Sequence, residues 1–325
     1  MRNAIELDRL TRSYGRRRGI VDLEVEVHEG EVFGFLGPNG AGKTTTIRVL
    51  MGFIRPTSGR ATIFGLDAWS DAPRLHRRIA HLGSDPGYLG ELTAAELLRH
   101  LARLRGFEPA AWRPLAARLD LDPGVPIRKL SRGNRNKVGL VAVFMGHEPL
   151  LVLDEPTSAL DPLMQREFLR LVAEARADGR TVFLSSHNLP EVECSCDRIG
   201  IIRDGRLVEI TTVGALLSGH WRSVNLVLGT PPDPGFFDLP NLEVVASSGR
   251  DVHLMVRGDV NPFLARIARL DIRDIAITTP DIEDLFLRYY DDQAGAGQLG
   301  PTGAPGAPGP PPPTDGRAPA RRVAR

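Results

Sequence analysis

GPNGAGKT, residues 37–44, narrows what this chain can fold into more than any other stretch. It fits GxxxxGK[ST], follows the apolar run EVFGFL and opens the helix-like run KTTTIRVLM, the strand–loop–helix setting the pattern requires. Glycines at 37, 40 and 42 let the backbone curl so that successive N–H groups point inward, and the first helical turn adds its positive dipole end. Such a cradle holds phosphate. Lys43 is expected to reach the β- and γ-phosphates of ATP and Thr44 to give its hydroxyl to Mg²⁺. The expected nucleotide-binding set is therefore Gly37, Pro38, Asn39, Gly40, Ala41, Gly42, Lys43, Thr44 and Thr45.

Around this loop the chain alternates. From Ile5 to about Ile210, β-like runs are followed by helical ones: PLLVLDE by PLMQREFLRLVAEA, TVFLSSH by LPEVECSCDR. The alternation predicts an α/β fold with a mainly parallel sheet covered by helices. Residues 71–122 read as purely helical. Within them TAAELLRHLARLRG starts with a capping box, Thr93 with Glu96, carries Leu97, Leu98, Leu101 and Leu104 at helical spacing and stops at Gly106. A helical subdomain, about residues 71–148, is thus expected inside a sheet domain of residues 1–216. Residues 217–291 read as a small α+β domain: strand-like SVNLVLG, DVHLMVR and IAITT surround the helix NPFLARIARL. A final amphipathic helix, PDIEDLFLRYY, follows, with Ile282, Leu285, Phe286 and Tyr289 on one face. Residues 292–325 are rich in Gly, Pro and Ala and are expected to be disordered.

Charge and composition remove several classes of function. The 41 basic and 40 acidic residues give a net charge of +1, so no basic field points to nucleic acid. The N-terminus lacks a secretory apolar core, and no run approaches the roughly 18 apolar residues of a membrane span; the chain is expected not to cross a membrane by itself. Cys194 and Cys196 stand two apart with no histidine pair nearby, which reads as reduced thiols rather than a metal site.

In LLVLDEPTSALD an apolar strand from Leu150 to Leu153 delivers Asp154 and Glu155 at its C-terminal end, where open α/β sheets place their ligand groups. Asp154 is expected in the outer shell of Mg²⁺, and Glu155 to orient and deprotonate the attacking water. His187, in LSSHN, ends the neighbouring strand and is expected to touch the γ-phosphate. The catalytic set is thus Glu155, His187 and Lys43. A further anion site is expected in LSRGN: Ser131 and Gly133 at a helix N-terminus, carried by the helical insertion well away from their own phosphate loop. They would then meet the γ-phosphate held by another subunit.

In this order, the phosphate loop, LSRGN as a variant of LSGGQ, LLVLDEP with the following SALD, and the histidine, the chain resembles the ATP-binding cassette family over roughly residues 4–215. The resemblance implies a head-to-tail dimer with each ATP sandwiched between the phosphate loop of one subunit and the signature of the other. It implies that Tyr14, in RSYG, stacks on adenine, a sequence-tolerant grip of roughly 1–3 kcal/mol, and that Asp161, in SALD, lies in the loop crossing the dimer interface. Where the family usually has a glutamine that senses Mg²⁺, the run here is HLGSDPG, with Ser84 at that position and Asp85 beside it, and Ser84 or Asp85 is expected to take over part of the metal contact. The second domain and PDIEDLFLRYY look like the extension of a drug and antibiotic exporter branch. The implied protein is a cytoplasmic ATPase subunit, peripheral on the inner face of the cell membrane, paired with membrane-spanning subunits and a second ATP-binding subunit. Of the competing readings, a cassette ATPase on nucleic acid or ribosomes lacks a basic stripe here, and a small-molecule kinase has no need of LSRGN.

Overall fold

The computed structural model describes residues 2–15, 17–84, 90–218, 221–233 and 235–278. Two long strands, β1 (Asn3–Tyr14) and β2 (Arg17–His28), lead into the short buried β3 (Val32–Leu36), and the phosphate loop then opens α1 (Lys43–Leu50). Next come β4 (Ser58–Ile63), β5 (Leu66–Asp67), α2 (Ala72–Leu75) and β6 (Ile79–Leu82). Three helices follow, α3 (Ala94–Leu104), α4 (Arg113–Arg118) and α5 (Arg132–Phe144). The chain continues with β7 (Leu150–Asp154), α6 (Pro162–Ala177), β8 (Thr181–Ser186), α7 (Leu189–Ser195), β9 (Arg198–Arg203) and β10 (Arg206–Thr212). After α8 (Val213–Ser218) it forms β11 (Trp221–Leu228), β12 (Leu242–Ser248), β13 (Asp251–Arg257), α9 (Asn261–Ile267) and β14 (Ile272–Thr278).

Six strands in the order β10-β9-β3-β8-β7-β6 make the central sheet, parallel except for the β10–β9 pair. β3, β7 and β8 are buried at every position, which is why they read as unbroken apolar runs rather than as alternating ones. A second, antiparallel sheet has the order β2-β1-β4-β5. One apolar cluster joins both sheets, with Leu23 and Val25 of β2 in the same core as Phe33 and Phe35 of β3 and Ile47 of α1. β3 and β8 are locked side by side by Phe33 and Phe183, whose rings stack at 5.9 Å. This fixed register sets the ends of the two strands level, so the groups that follow them emerge at one edge.

α5 packs against α3 and α4. The capping box of α3 is present: Glu96 N donates to Thr93 Oγ1 at 3.2 Å, and Thr93 N to Glu96 Oε2 at 2.8 Å. Gly106, at φ +75°, follows the end of that helix, in the left-handed conformation that glycine adopts without steric cost. Leu97 and Leu98 are buried, but Leu104, expected on the same face, is 74% exposed. Arg118 of α4 grips α6, with Nε on Glu167 at 2.6 Å and Nη1 and Nη2 on the two oxygens of Glu174 at 2.8 Å.

Three expectations are corrected. Residues 71–122 are not purely helical, because Ile79–Leu82 forms β6, paired in parallel with β7. Four apolar residues, IAHL, are too few to show whether their period is 2 or 3.6, and tertiary pairing decides. The helical subdomain correspondingly starts after β6 rather than at residue 71. Secondly, the N-terminal third carries the antiparallel sheet as well as the parallel one. Thirdly, the C-terminal sheet, β12-β13-β11-β14, contains β12, which the sequence reading passed over. β12 is exposed along nearly its whole length, so it lacks the buried alternation that marks a strand. This sheet and α9 enclose their own core, with Val224, Leu226, Leu254 and Phe263 at its centre. PDIEDLFLRYY and the Gly/Pro-rich tail lie outside the described residues.

Candidate nucleotide site

Everything predicted from the phosphate loop, the carboxylate strand and the switch histidine emerges at the C-terminal ends of β3, β7 and β8. Gly37 N donates to Ser186 O at 3.2 Å, which ties the start of the loop to the end of β8. Gly42 caps α1 at φ +113°, and a Cβ there would meet Ile20 Cγ2 at 2.8 Å. Only glycine satisfies both the dihedral and the space. At Gly37 the obstacle is space alone, since a Cβ would lie 2.3 Å from Ile202 O. The loop is thus pressed onto β2 and β9.

A cavity of about 440 Å³ opens above it. Of the expected residues it brings together Asn39, Gly40, Gly42, Lys43, Thr44, Thr45, Ser84, Glu155 and His187. Lys43 is 5% exposed. Its Nζ donates to Gly37 O and, at 3.1 Å, to Pro38 O, and pairs with Glu155 Oε1 at 3.1 Å. That Oε1 has no hydrogen-bond partner, so its contact with Lys43 is an ion pair only. Glu155 Oε2 lies 2.6 Å from His187 Nδ1; a carboxylate only accepts, so the imidazole hydrogen sits on Nδ1. Ammonium, carboxylate and imidazole therefore form one chain across the cavity floor.

The backbone of Glu155 is held at φ +52°, a left-handed conformation uncommon for a side chain of this size and typical of functional turns. Its N–H is anchored on Ser185, with the carbonyl at 3.2 Å and the hydroxyl at 3.1 Å. The same hydroxyl donates to Asp154 Oδ1 at 2.6 Å, and Asp154 is 2% exposed. Ser185 thus holds the Asp154 carboxylate and the main chain of Glu155. Glu191 of α7 lies behind them, its Oε2 accepting from Ser186 Oγ at 2.6 Å and Thr157 Oγ1 at 3.0 Å. Burial pushes the Glu191 carboxyl up, and nearby Glu155 adds to this. His81 of β6 is pushed down to about 4, first by burial.

Thr44 and Ser84 offer hydroxyl oxygens on the cavity wall and Asp154 a carboxylate beneath it. Among the described residues no group of three His, Cys, Asp or Glu side chains gathers. A few hard oxygens without a protein cage suit a small cation that keeps waters and substrate phosphates as most of its ligands. Both cysteines are free, Cys194 exposed and Cys196 buried, and burial pushes the Cys196 thiol up to about 12.

Other expected residues stand apart. Ala41 is buried within the loop. Tyr14 is 40% exposed and carries the Arg12 guanidinium over its ring at 4.9 Å. It does not line the cavity, but Gly19 does, and a Cβ at 19 would approach Tyr14 Cδ2 to 3.3 Å. Asp161 is the N-cap of α6, accepting from Leu163 N and Met164 N at 3.0 Å each. Ser131 caps α5, accepting from Asn134 N at 3.2 Å. Ser131 and Gly133, expected well away from their own phosphate loop, are not among the residues that line this cavity, whereas Arg132 between them is, together with Ser158. Asp85 lies outside the described residues.

The profile of the ABC transporter family matches residues 20–158. The bacitracin transport ATP-binding protein BcrA of Bacillus licheniformis is 32% identical over 311 residues, covering 92% of this chain and 100% of that protein. The daunorubicin/doxorubicin resistance ATP-binding protein DrrA of Streptomyces peucetius is 36% identical over 221 residues, 66% of this chain and 67% of that one. A solved ATP-binding subunit of an ABC transporter superposes with a TM-score of 0.60 at 31% identity, over 66% of this chain and 92% of that chain. The fold and site define a phosphate-loop ATPase of the cassette type. This chain belongs to the ABC transporter family.

Proposed function

We propose that the chain is the ATP-hydrolysing subunit of an exporter of drug-like small molecules, acting through separate membrane-spanning subunits. It works on the inner face of the cell membrane, facing a second ATP-binding subunit. The observation that carries the reading is the chain Lys43–Glu155–His187 across the phosphate-loop cavity. Relatives in bacitracin transport and daunorubicin/doxorubicin resistance support the choice of cargo class. No helix among the described residues is long and apolar enough to cross a membrane, and the proposal assigns the pathway to partner chains.

The residues divide the work. The amides of the loop and Lys43 hold the β- and γ-phosphates, and Thr44, Ser84 and Asp154 would hold Mg²⁺, which when bound neutralises charge on the phosphate oxygens. A γ-phosphate competes with Glu155 for the Lys43 ammonium. Once Lys43 turns to phosphate, Glu155 Oε1 is available to take the proton of the attacking water. His187, with its hydrogen on Nδ1, keeps Oε2 fixed and presents Nε2 to the cavity. Positioning and charge neutralisation make up most of what phosphoryl transfer asks of a protein.

Glu155→Gln tests this. Loss of the base is expected to lower hydrolysis by roughly 10²- to 10⁴-fold, while equilibrium binding of ATP is kept. Undiminished turnover would remove Glu155 from the role of base.

A further inference from the structure

A second cavity, of about 510 Å³, opens on the antiparallel sheet and shares no described lining residue with the nucleotide cavity. Val49 of α1, Ala61 of β4 and Ala68, all buried, give it an apolar floor. Residues 55–60 make its wall, and they are held from behind. Arg12 Nη1 donates to Arg55 O at 2.9 Å, Thr57 N to Thr11 O at 2.7 Å, and Ser13 N to Thr57 Oγ1 at 3.0 Å. Gly59 sits at φ +73°, and a Cβ there would lie 2.1 Å from Arg9 O. The wall is therefore fixed chiefly through its main chain. Among the described residues neither the Arg55 nor the Arg60 guanidinium, both exposed, makes a hydrogen bond or a salt bridge. The Ser58 hydroxyl donates to no described group, and Thr57, which accepts from Ser13, keeps its own hydrogen to give. The carboxylate in the cavity is already committed: Asp67 Oδ1 accepts from Ser70 N at 2.9 Å, Ser70 Oγ at 3.0 Å and Trp69 N at 3.1 Å. The Ser70 amide foremost, with the Ser70 hydroxyl, the Trp69 amide and the Arg60 charge, holds Asp67 below the usual carboxylate range. Two cations and two hydroxyl donors thus face one occupied anion, and Trp69, 44% exposed, lines the same cavity.

We infer that this cavity binds a phosphate ester, with Arg55 and Arg60 on the phosphoryl oxygens and the Trp69 ring against the organic part. A planar fork of N–H donors matches phosphate oxygens in pairs, and a phosphoryl group carries more acceptor oxygens than a carboxylate, enough for two forks and the hydroxyls. An indole adds a large apolar face beside the polar wall. A soluble phosphate ester and the headgroup of an anionic phospholipid present the same chemistry. The site is independent of the phosphate loop, since the two cavities are lined by different residues.

The test uses the full-length chain and two probes: phenyl phosphate, titrated calorimetrically, and vesicles of phosphatidylcholine with or without phosphatidylglycerol, read by flotation. Binding of phenyl phosphate marks a soluble ligand, and binding only to vesicles that contain phosphatidylglycerol marks the membrane as the source. Arg55→Gln with Arg60→Gln is expected to weaken whichever probe binds by about tenfold, the low end for two charged donors at an exposed site. Trp69→Ala is expected to weaken phenyl phosphate by about threefold. Arg103→Gln with Arg113→Gln removes the same charge elsewhere and is expected to leave either probe within about twofold. The single variants Arg55→Gln and Arg60→Gln, each expected to show part of the loss, decide the matter should the pair not fold. Lys43→Ala is expected to keep the probe. Binding of neither probe overturns the inference, and so does an equal loss in the Arg103 and Arg113 pair. A loss in Lys43→Ala but not in the Arg55 and Arg60 variants would locate the probe in the phosphate loop and overturn it as well.

Discussion

Glu191 touches no phosphate in the proposed mechanism, yet it holds both halves of the catalytic pair. Its Oε2 is shared by Ser186, beside His187, and Thr157, two residues past Glu155, while its buried Oε1 has no hydrogen-bond partner. Burial raises its proton affinity against the two hydrogen bonds that lower it. A carboxyl whose folded pKa lies above its unfolded value contributes stability that is complete below the unfolded pKa and is lost as pH rises through the folded one. Glu191→Gln keeps an acceptor for both hydroxyls and does not titrate. Its melting temperature is expected to gain on that of the wild type as pH goes from about 5 to about 8. Two curves that run parallel over this range would show that this carboxyl does not set the pH dependence. No spacing rule singles out Glu191, because its role arises from α7 folding back over the ends of β7 and β8.

At the level of elements, α5 is strapped to the loop that follows β7. Asn136, 9% exposed, donates from Nδ2 to Pro156 O at 2.6 Å and to Ser158 O at 3.2 Å. Asn136→Ala strips a donor from two carbonyls and is expected to cost about 1–3 kcal/mol, read as a lower denaturation midpoint at unchanged slope. Hydrolysis should fall more than ATP affinity, because the loop carries Ser158 into the cavity. An unchanged midpoint would mean that the strap holds nothing. The elements that were legible beforehand are those with local causes: the phosphate loop needs its glycines, and the capping box of α3 needs Thr93 and Glu96. β6 and β12 were not legible, since a four-residue apolar run and an exposed strand each owe their form to a neighbour. Of the site, the loop residues, Glu155 and His187 were readable from motifs. Gly19, Arg132 and Ser158 were not, because which side chains share a cavity depends on how the helical insertion folds back.

For the whole molecule, the placement of Ser131 and Gly133 outside the cavity of their own chain bears on how many copies a turnover requires. If the proposed facing arrangement is right, the rate of ATP hydrolysis per chain should rise with chain concentration until dimers saturate. A dilution series with sedimentation at each point checks this, and a per-chain rate that stays level down to monomers would show that one copy suffices. Gly133 also packs so closely that a Cβ would lie 2.5 Å from the carbonyl of Ala159, itself held at φ +67°. Any side chain at 133 must push that carbonyl aside. Whatever nucleotide the signature meets, its Gly133 is thus already fixed by a neighbouring peptide group of its own chain.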